Sequence, residues 1–131
     1  MQNLLTNLAE FMFAGNAIFT VQNTKSGKHF TYKVKKVPRK KMWWVRVLTK
    51  HKQWKYLGCI DKDAFRATQA SIGMIGELSF KGFLWLYKHR DSLPTESILV
   101  FHEGYCGRCG RRLTRPESVQ NGFGPECIKY Q

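Results

Sequence analysis

Between residues 28 and 60, apolar and polar side chains alternate with a period of two. Phe30, Tyr32 and Val34 are interleaved with Thr31, Lys33 and Lys35. Trp43, Val45 and Val47 are interleaved with Trp44, Arg46 and Leu48, and Trp54, Tyr56, Gly58 and Ile60 alternate again. Successive side chains of a strand point to opposite faces, so each segment reads as a half-buried strand. Turn-forming residues separate them at 23–27, 38–41 and 50–53. With residues 17–22, this predicts four sequential strands with short links, an antiparallel meander. One face is expected to bury aromatics and the other to carry lysines.

The flanks follow a helical period. Leu4, Leu8, Phe11 and Met12 predict an amphipathic helix over residues 3–13, stopped at Gly15. Asp61 or Asp63 is expected to cap a short helix through Phe65 and Thr68. Ser79 is expected to cap a second, with Phe80, Phe83, Leu84 and Tyr87 on one side, ending near Arg90. Residues 71–76 fit neither period. Ile98, Val100 and His102 alternate with Leu99 and Phe101, which predicts a last strand. Helices grouped after an antiparallel sheet make the fold class α+β. The expected organisation is a basic α+β domain at residues 1–97 and a metal-binding module at 98–131 packed on it.

Charge changes this picture. The 131 residues carry a formal net charge of +13. Twelve Lys or Arg fall between residues 25 and 55, and no acidic residue occurs from Phe11 to Ile60. So one-sided a segment points to a polyanion or an acidic protein surface. The cations are interleaved with aromatics. Lys33, Lys35 and Lys36 adjoin Tyr32; Arg39, Lys40, Lys41 and Arg46 adjoin Trp43 and Trp44; Lys50, Lys52 and Lys55 surround Trp54. Lysines neutralise phosphates, and an exposed ring stacks on a base. Trp44 is expected to be the exposed ring, because Trp43 and Val45 face inward. Arg108, Arg111, Arg112 and Arg115 form a second basic cluster.

The most specific chemistry lies near the C-terminus, in Cys106-Gly107-Arg108-Cys109 followed after seventeen residues by Cys127. His102 precedes Cys106 by four positions. Soft thiolates at this spacing, with one imidazole, suit a single structural zinc ion. Gly107 and Gly110 suit the positive φ of the turn that such a knuckle needs. His102 is the preferred fourth ligand and Cys59 the competitor. Two disulfides are the alternative in an oxidising compartment. The first residues lack a basic n-region, Glu10 interrupts their apolar run, and no stretch approaches the roughly 18 apolar residues of a membrane span. A cytoplasmic, reducing location is therefore expected.

Nothing reads as a catalytic constellation. Zinc deaminases use His-x-Glu followed distantly by a Cys-x-x-Cys pair, whereas His102 and Glu103 are adjacent and Cys106 follows at once. No nucleophile elbow, Walker loop or dinucleotide glycine pattern occurs. The chain is expected not to be an enzyme.

The segment with Cys106, Cys109, Gly110, Arg111, Leu113, Thr114, Pro116, Ser118, Gly122, Gly124, Pro125 and Cys127 resembles the C-terminus of an uncharacterised protein family. That family occurs in bacteriophages, prophages and some bacteria. Weaker likeness extends to Phe19–Val21, Trp43–Thr49 and Tyr56–Ile60, where family members tend to carry Thr at the position of Cys59. The resemblance implies a phage or prophage origin, a host-cytoplasm location and a zinc-stabilised fold. It also implies that Cys59 is not the fourth ligand. It implies no activity. Two functions are therefore expected in turn: binding of DNA or RNA, or docking on and inhibiting an acidic host or defence protein.

Overall fold

The computed structural model describes residues 3–131. Its elements in chain order are helix α1 (Leu8–Met12), strands β1 (Asn16–Asn23), β2 (His29–Lys36), β3 (Met42–Leu48), β4 (Trp54–Asp61) and β5 (Ala64–Arg66), and a 3₁₀ turn (Gln69–Met74). Helix α2 (Leu78–Lys88), strand β6 (Ile98–His102), helix α3 (Pro116–Asn121) and a final 3₁₀ turn (Cys127–Tyr130) follow. The strands form one antiparallel sheet in the order β5-β4-β3-β2-β1-β6. The class is α+β, and the alternation of residues 17–60 becomes the meander β1 to β4.

Three elements differ from the sequence pattern. Residues 3–6 are not helical. Leu5 N–H donates to Val100 O at 2.8 Å and His102 N–H to Asn3 O at 3.0 Å, so this segment lies along the outer edge of β6. An unpaired strand edge satisfies those groups better than a marginal helix end would. The helix starts after Asn7, whose side-chain oxygen accepts from Glu10 N–H. Residues after Asp61 form strand β5 rather than a capped helix. Lys62 and Asp63 both have positive φ (51° and 61°) between the paired residues Asp61 and Ala64. Positive φ at both central residues is the geometry of a tight hairpin turn. Finally, α2 begins at Leu78, with Glu77 rather than Ser79 at its N-cap.

The sheet's inner face packs under α2. Phe83 meets Tyr32 edge-on at 5.0 Å and Phe65 at 4.7 Å. The Tyr32 hydroxyl donates to Ser79 O at 2.8 Å. Gly82 lets the helix approach, since a Cβ there would lie 3.1 Å from that hydroxyl. Beyond β1, Phe11 is surrounded by Phe19, His102 and Phe123 at 6.4, 6.1 and 5.7 Å. Cys106, Leu113, Phe123 and Cys127 belong to the same buried cluster as Phe19 and Val34. Residues 98–131 thus share both the sheet and the core with the preceding chain.

Register is broken once. The pairing of β3 with β4 shifts between Val45 and Arg46, so that Leu57 is the extra residue between Tyr56 and Gly58. A bulge of this kind changes which face the following side chains occupy. Leu57 and Ile60 are buried, while Tyr56 stands opposite Arg46 and Trp54 opposite Leu48 on the outer face. The expected single row of Trp54, Tyr56, Gly58 and Ile60 is thereby split. Gly58 is required because a Cβ would collide with the carbonyl of Arg66 on β5.

Candidate metal centre and the basic sheet face

Cys106, Cys109 and Cys127 converge, their sulfur atoms all within 4.8 Å of one another. The Cys106–Cys109 turn is built by the backbone. Cys106 N–H donates to Arg111 O at 2.8 Å, and Gly110 N–H returns to Cys106 O at 2.9 Å. Gly110 has φ +79°, as the knuckle reading expects. Gly107 serves differently: a Cβ there would lie 2.7 Å from two ring atoms of Phe11. The turn therefore sits directly on the core. Cys127 arrives from the far side, after α3 ends at Gly122 (φ +84°).

The Cys106 sulfur accepts from Cys109 N–H at 3.5 Å and Gly124 N–H at 3.4 Å. Burial pushes its thiol up, but the N–H groups of Cys109, Gly124 and Arg108, with the Cys109 thiol, outweigh this and bring it from 9.0 to about 7. Cys127 moves the other way, raised first by burial and then by sharing hydrogen bonds with the Cys109 and Cys106 thiols. Crowded sulfurs supplied with backbone donors make a set of soft ligands placed to bind a metal ion.

His102, the expected fourth ligand, is not in this group. It lies on the inner face of β6 opposite Phe19 and is fully buried (0% exposed). Its Nδ1 accepts from Gly104 N–H at 3.0 Å, and its Nε2 donates to the carbonyl of Val119. With both nitrogens committed to the main chain, the imidazole has no lone pair left for a metal. It instead ties β6 to α3 and stacks on Phe11. Cys59 stands in β4 opposite Trp44 and Arg66, also outside the group. Among the described residues, no other His, Cys, Asp or Glu joins the three cysteines.

The outer sheet face is made by register. One row across the strands runs Ile18, Lys33, Arg46, Tyr56; the next runs Asn16, Lys35, Trp44, Cys59, Arg66. Trp44 and Trp54 are 38% and 37% exposed, as expected for Trp44 and missed for Trp54. Arg46 lies over both Trp44 and Tyr56, at 5.8 and 5.9 Å, and Lys33 lies over Trp54 at 5.5 Å. The single carboxylate in the six strands, Asp61, is paired with Arg66 at 3.1 Å. Arg66 escaped the sequence reading of this surface because its segment read as a helix, and Tyr56, one of the aromatics interleaved with the lysines, reaches the outer face only through the bulge.

The other expected cations divide. Arg39, Lys40 and Lys41 lie in the β2–β3 turn, and Lys50 and Lys52 in the β3–β4 turn at the opposite end of β3. Lys36 stands opposite Trp43 and Lys55 opposite Val47, so register assigns both to the other face, at its exposed margin. Arg108, Arg111 and Arg112 are exposed on the cysteine segment. Arg108 stacks on Tyr130 at 4.1 Å.

Residues 100–130 match the model of a family of unknown function (DUF6011). The matching segment contains all three clustered cysteines and His102. It bears out likeness to an uncharacterised family for this part of the chain. Neither a curated protein nor a solved structure matches the chain. No helix among the described residues is long and apolar enough to cross a membrane.

Proposed function

We propose that this protein binds single-stranded nucleic acid across the outer face of its sheet, with one zinc ion on Cys106, Cys109 and Cys127 stabilising the segment that flanks that face. The observation that carries the reading is Trp44 and Trp54, both more than one-third exposed, with Arg46 and Lys33 above their rings. Indoles left partly in water beside cations are the kind of platform on which single-strand binders stack bases. A base stacked on it contributes about 1–3 kcal/mol, and the neighbouring cations neutralise the phosphates. Duplex bases are already stacked and do not present their faces to a sheet, which favours a single strand. A near-absence of carboxylates over this surface removes repulsion of the backbone.

Docking on an acidic protein is the second reading, including the inhibitory role of a phage-encoded protein toward its host. It uses the same cations and gains on-rate from them. The cations lying over the two indoles suit a partner that offers both ring faces and phosphates, so we rank protein docking lower.

The test is fluorescence anisotropy with a labelled oligonucleotide, single-stranded and as a duplex, over a salt series. The expected result is tighter binding of the single strand, with affinity falling steeply as salt rises. Absence of binding to either at about 50 mM salt would discard the nucleic-acid reading. Elemental analysis is expected to find one zinc per chain.

A further inference from the structure

We propose that the cysteine cluster leaves one coordination position to an external phosphate oxyanion, held beside it by Arg111, Arg112 and Arg115. This rests on the metal-binding reading above. Three thiolates fill three of the four positions of a tetrahedral ion. The nearest imidazole is spent on Gly104 and Val119, and Cys59 stands on the sheet. Among the described residues, no further His, Cys, Asp or Glu brings a ligand atom within 4.8 Å of all three sulfurs.

What adjoins the cluster is a cavity of about 360 Å³ lined by all three cysteines. Its other walls include Arg111, Arg112, Arg115, Thr114 and Ser118. Its one carboxylate, Glu126, is exposed and paired with Lys129 at 3.3 Å. A dication on three thiolates keeps one net negative charge and by itself repels an anion. Three guanidiniums along the same cavity outweigh that charge. Arginine is also the side chain that grips a phosphate with two parallel N–H donors. An oxyanion there has one oxygen for the metal and others for the arginines. The phosphate can be free or belong to a nucleic-acid strand bound by the protein.

The experiment uses the full chain loaded with cobalt(II) in place of zinc. Thiolate-to-cobalt charge-transfer absorption reports the three cysteines, and the ligand-field bands report the fourth position. Inorganic phosphate is titrated against chloride at matched ionic strength. A saturable change in the ligand-field bands with phosphate alone is expected. It should be about tenfold weaker in an Arg111→Gln, Arg115→Gln double variant that keeps its charge-transfer band. A 5′-phosphorylated oligonucleotide acting at lower concentration than inorganic phosphate would name the strand as the source; the reverse would name the free anion. Bands indifferent to phosphate, or bands altered by His102→Gln, overturn the proposal while the metal reading stands. If no charge-transfer absorption forms, the cysteines hold no cobalt and both readings fall.

Discussion

The side-chain amide of Asn16 donates to the carbonyl oxygen of Arg108 across 2.7 Å. Asn16 N–H also donates to Gly107 O at 2.7 Å, and Asn16 stands opposite Lys35 on β2. One residue thus fastens the cysteine turn to the end of the sheet row that holds Lys35 and Trp44. Asn16→Ala is expected to cost about 1 kcal/mol of stability by urea denaturation. It should also weaken nucleic-acid binding, because Arg108 loses its fixed place. An unchanged affinity would detach the cysteine segment from the binding face.

Trp44→Ala and Trp54→Ala should each reduce single-strand affinity by about 1–3 kcal/mol with the salt slope unaltered. Both rings are solvent-facing, so thermal stability should change little. Lys35→Gln should instead lower the salt slope by about one. Anisotropy titrations at several salt concentrations separate the two effects, and a tryptophan variant that alters only the slope would refute stacking.

His102→Ala removes a buried ring and leaves Gly104 N–H and the Val119 carbonyl without their partner. The expected loss is on the order of 2–4 kcal/mol in chemical denaturation. Zinc content per folded chain should stay as it is. A fall in zinc at undiminished stability would restore the imidazole as a ligand.

Gly107→Ala should destabilise by about 1–3 kcal/mol, since the added methyl overlaps the Phe11 ring. Gly124→Ala meets nothing within 4 Å and serves as the control. Equal melting temperatures for the two variants would contradict the close seating of the turn on the core.

Burial holds the Tyr32 hydroxyl well above its ordinary value of 10.0. The folded chain therefore keeps this proton where the unfolded chain releases it. Stability from this group is fully present below pH 10 and declines as pH rises above it. Tyr32→Phe should lose the bond to Ser79 and be less stable at neutral pH, yet show a flatter alkaline decline. Denaturation curves at neutral and alkaline pH give the comparison.

Period-two alternation was enough to place β1 to β4, because each strand has one face on the core and one in water, and that contrast is written locally. The same holds for the thiol cluster. Cys106 and Cys109 are close in any compact turn, and the glycines around them mark its geometry. Trp44 was legible as exposed, since its neighbours Trp43 and Val45 had to face inward. Helix α2 was legible from its apolar side, although its cap was placed two residues late, at Ser79 rather than Glu77.

What the chain alone determined is therefore a basic, half-buried antiparallel sheet and a thiol set with metal-binding spacing. Tertiary structure decided the rest, and in each case through a partner distant in sequence. The hairpin at Lys62 and Asp63 forms because β4 offers an edge to β5, with no Asn-Gly code to announce it. The extra residue Leu57 sends Tyr56 and Trp54 outward, a choice between two packings that alternation cannot express. His102 stands apart from the thiol cluster, its nitrogens hydrogen-bonded to Val119 and Gly104. Asn16, an unremarked polar residue at a strand start, fastens the cysteine turn to the sheet through a carbonyl 92 residues away. Hydrogen-bond partners and register are long-range properties, fixed when the sheet closes on the core and not by any local pattern.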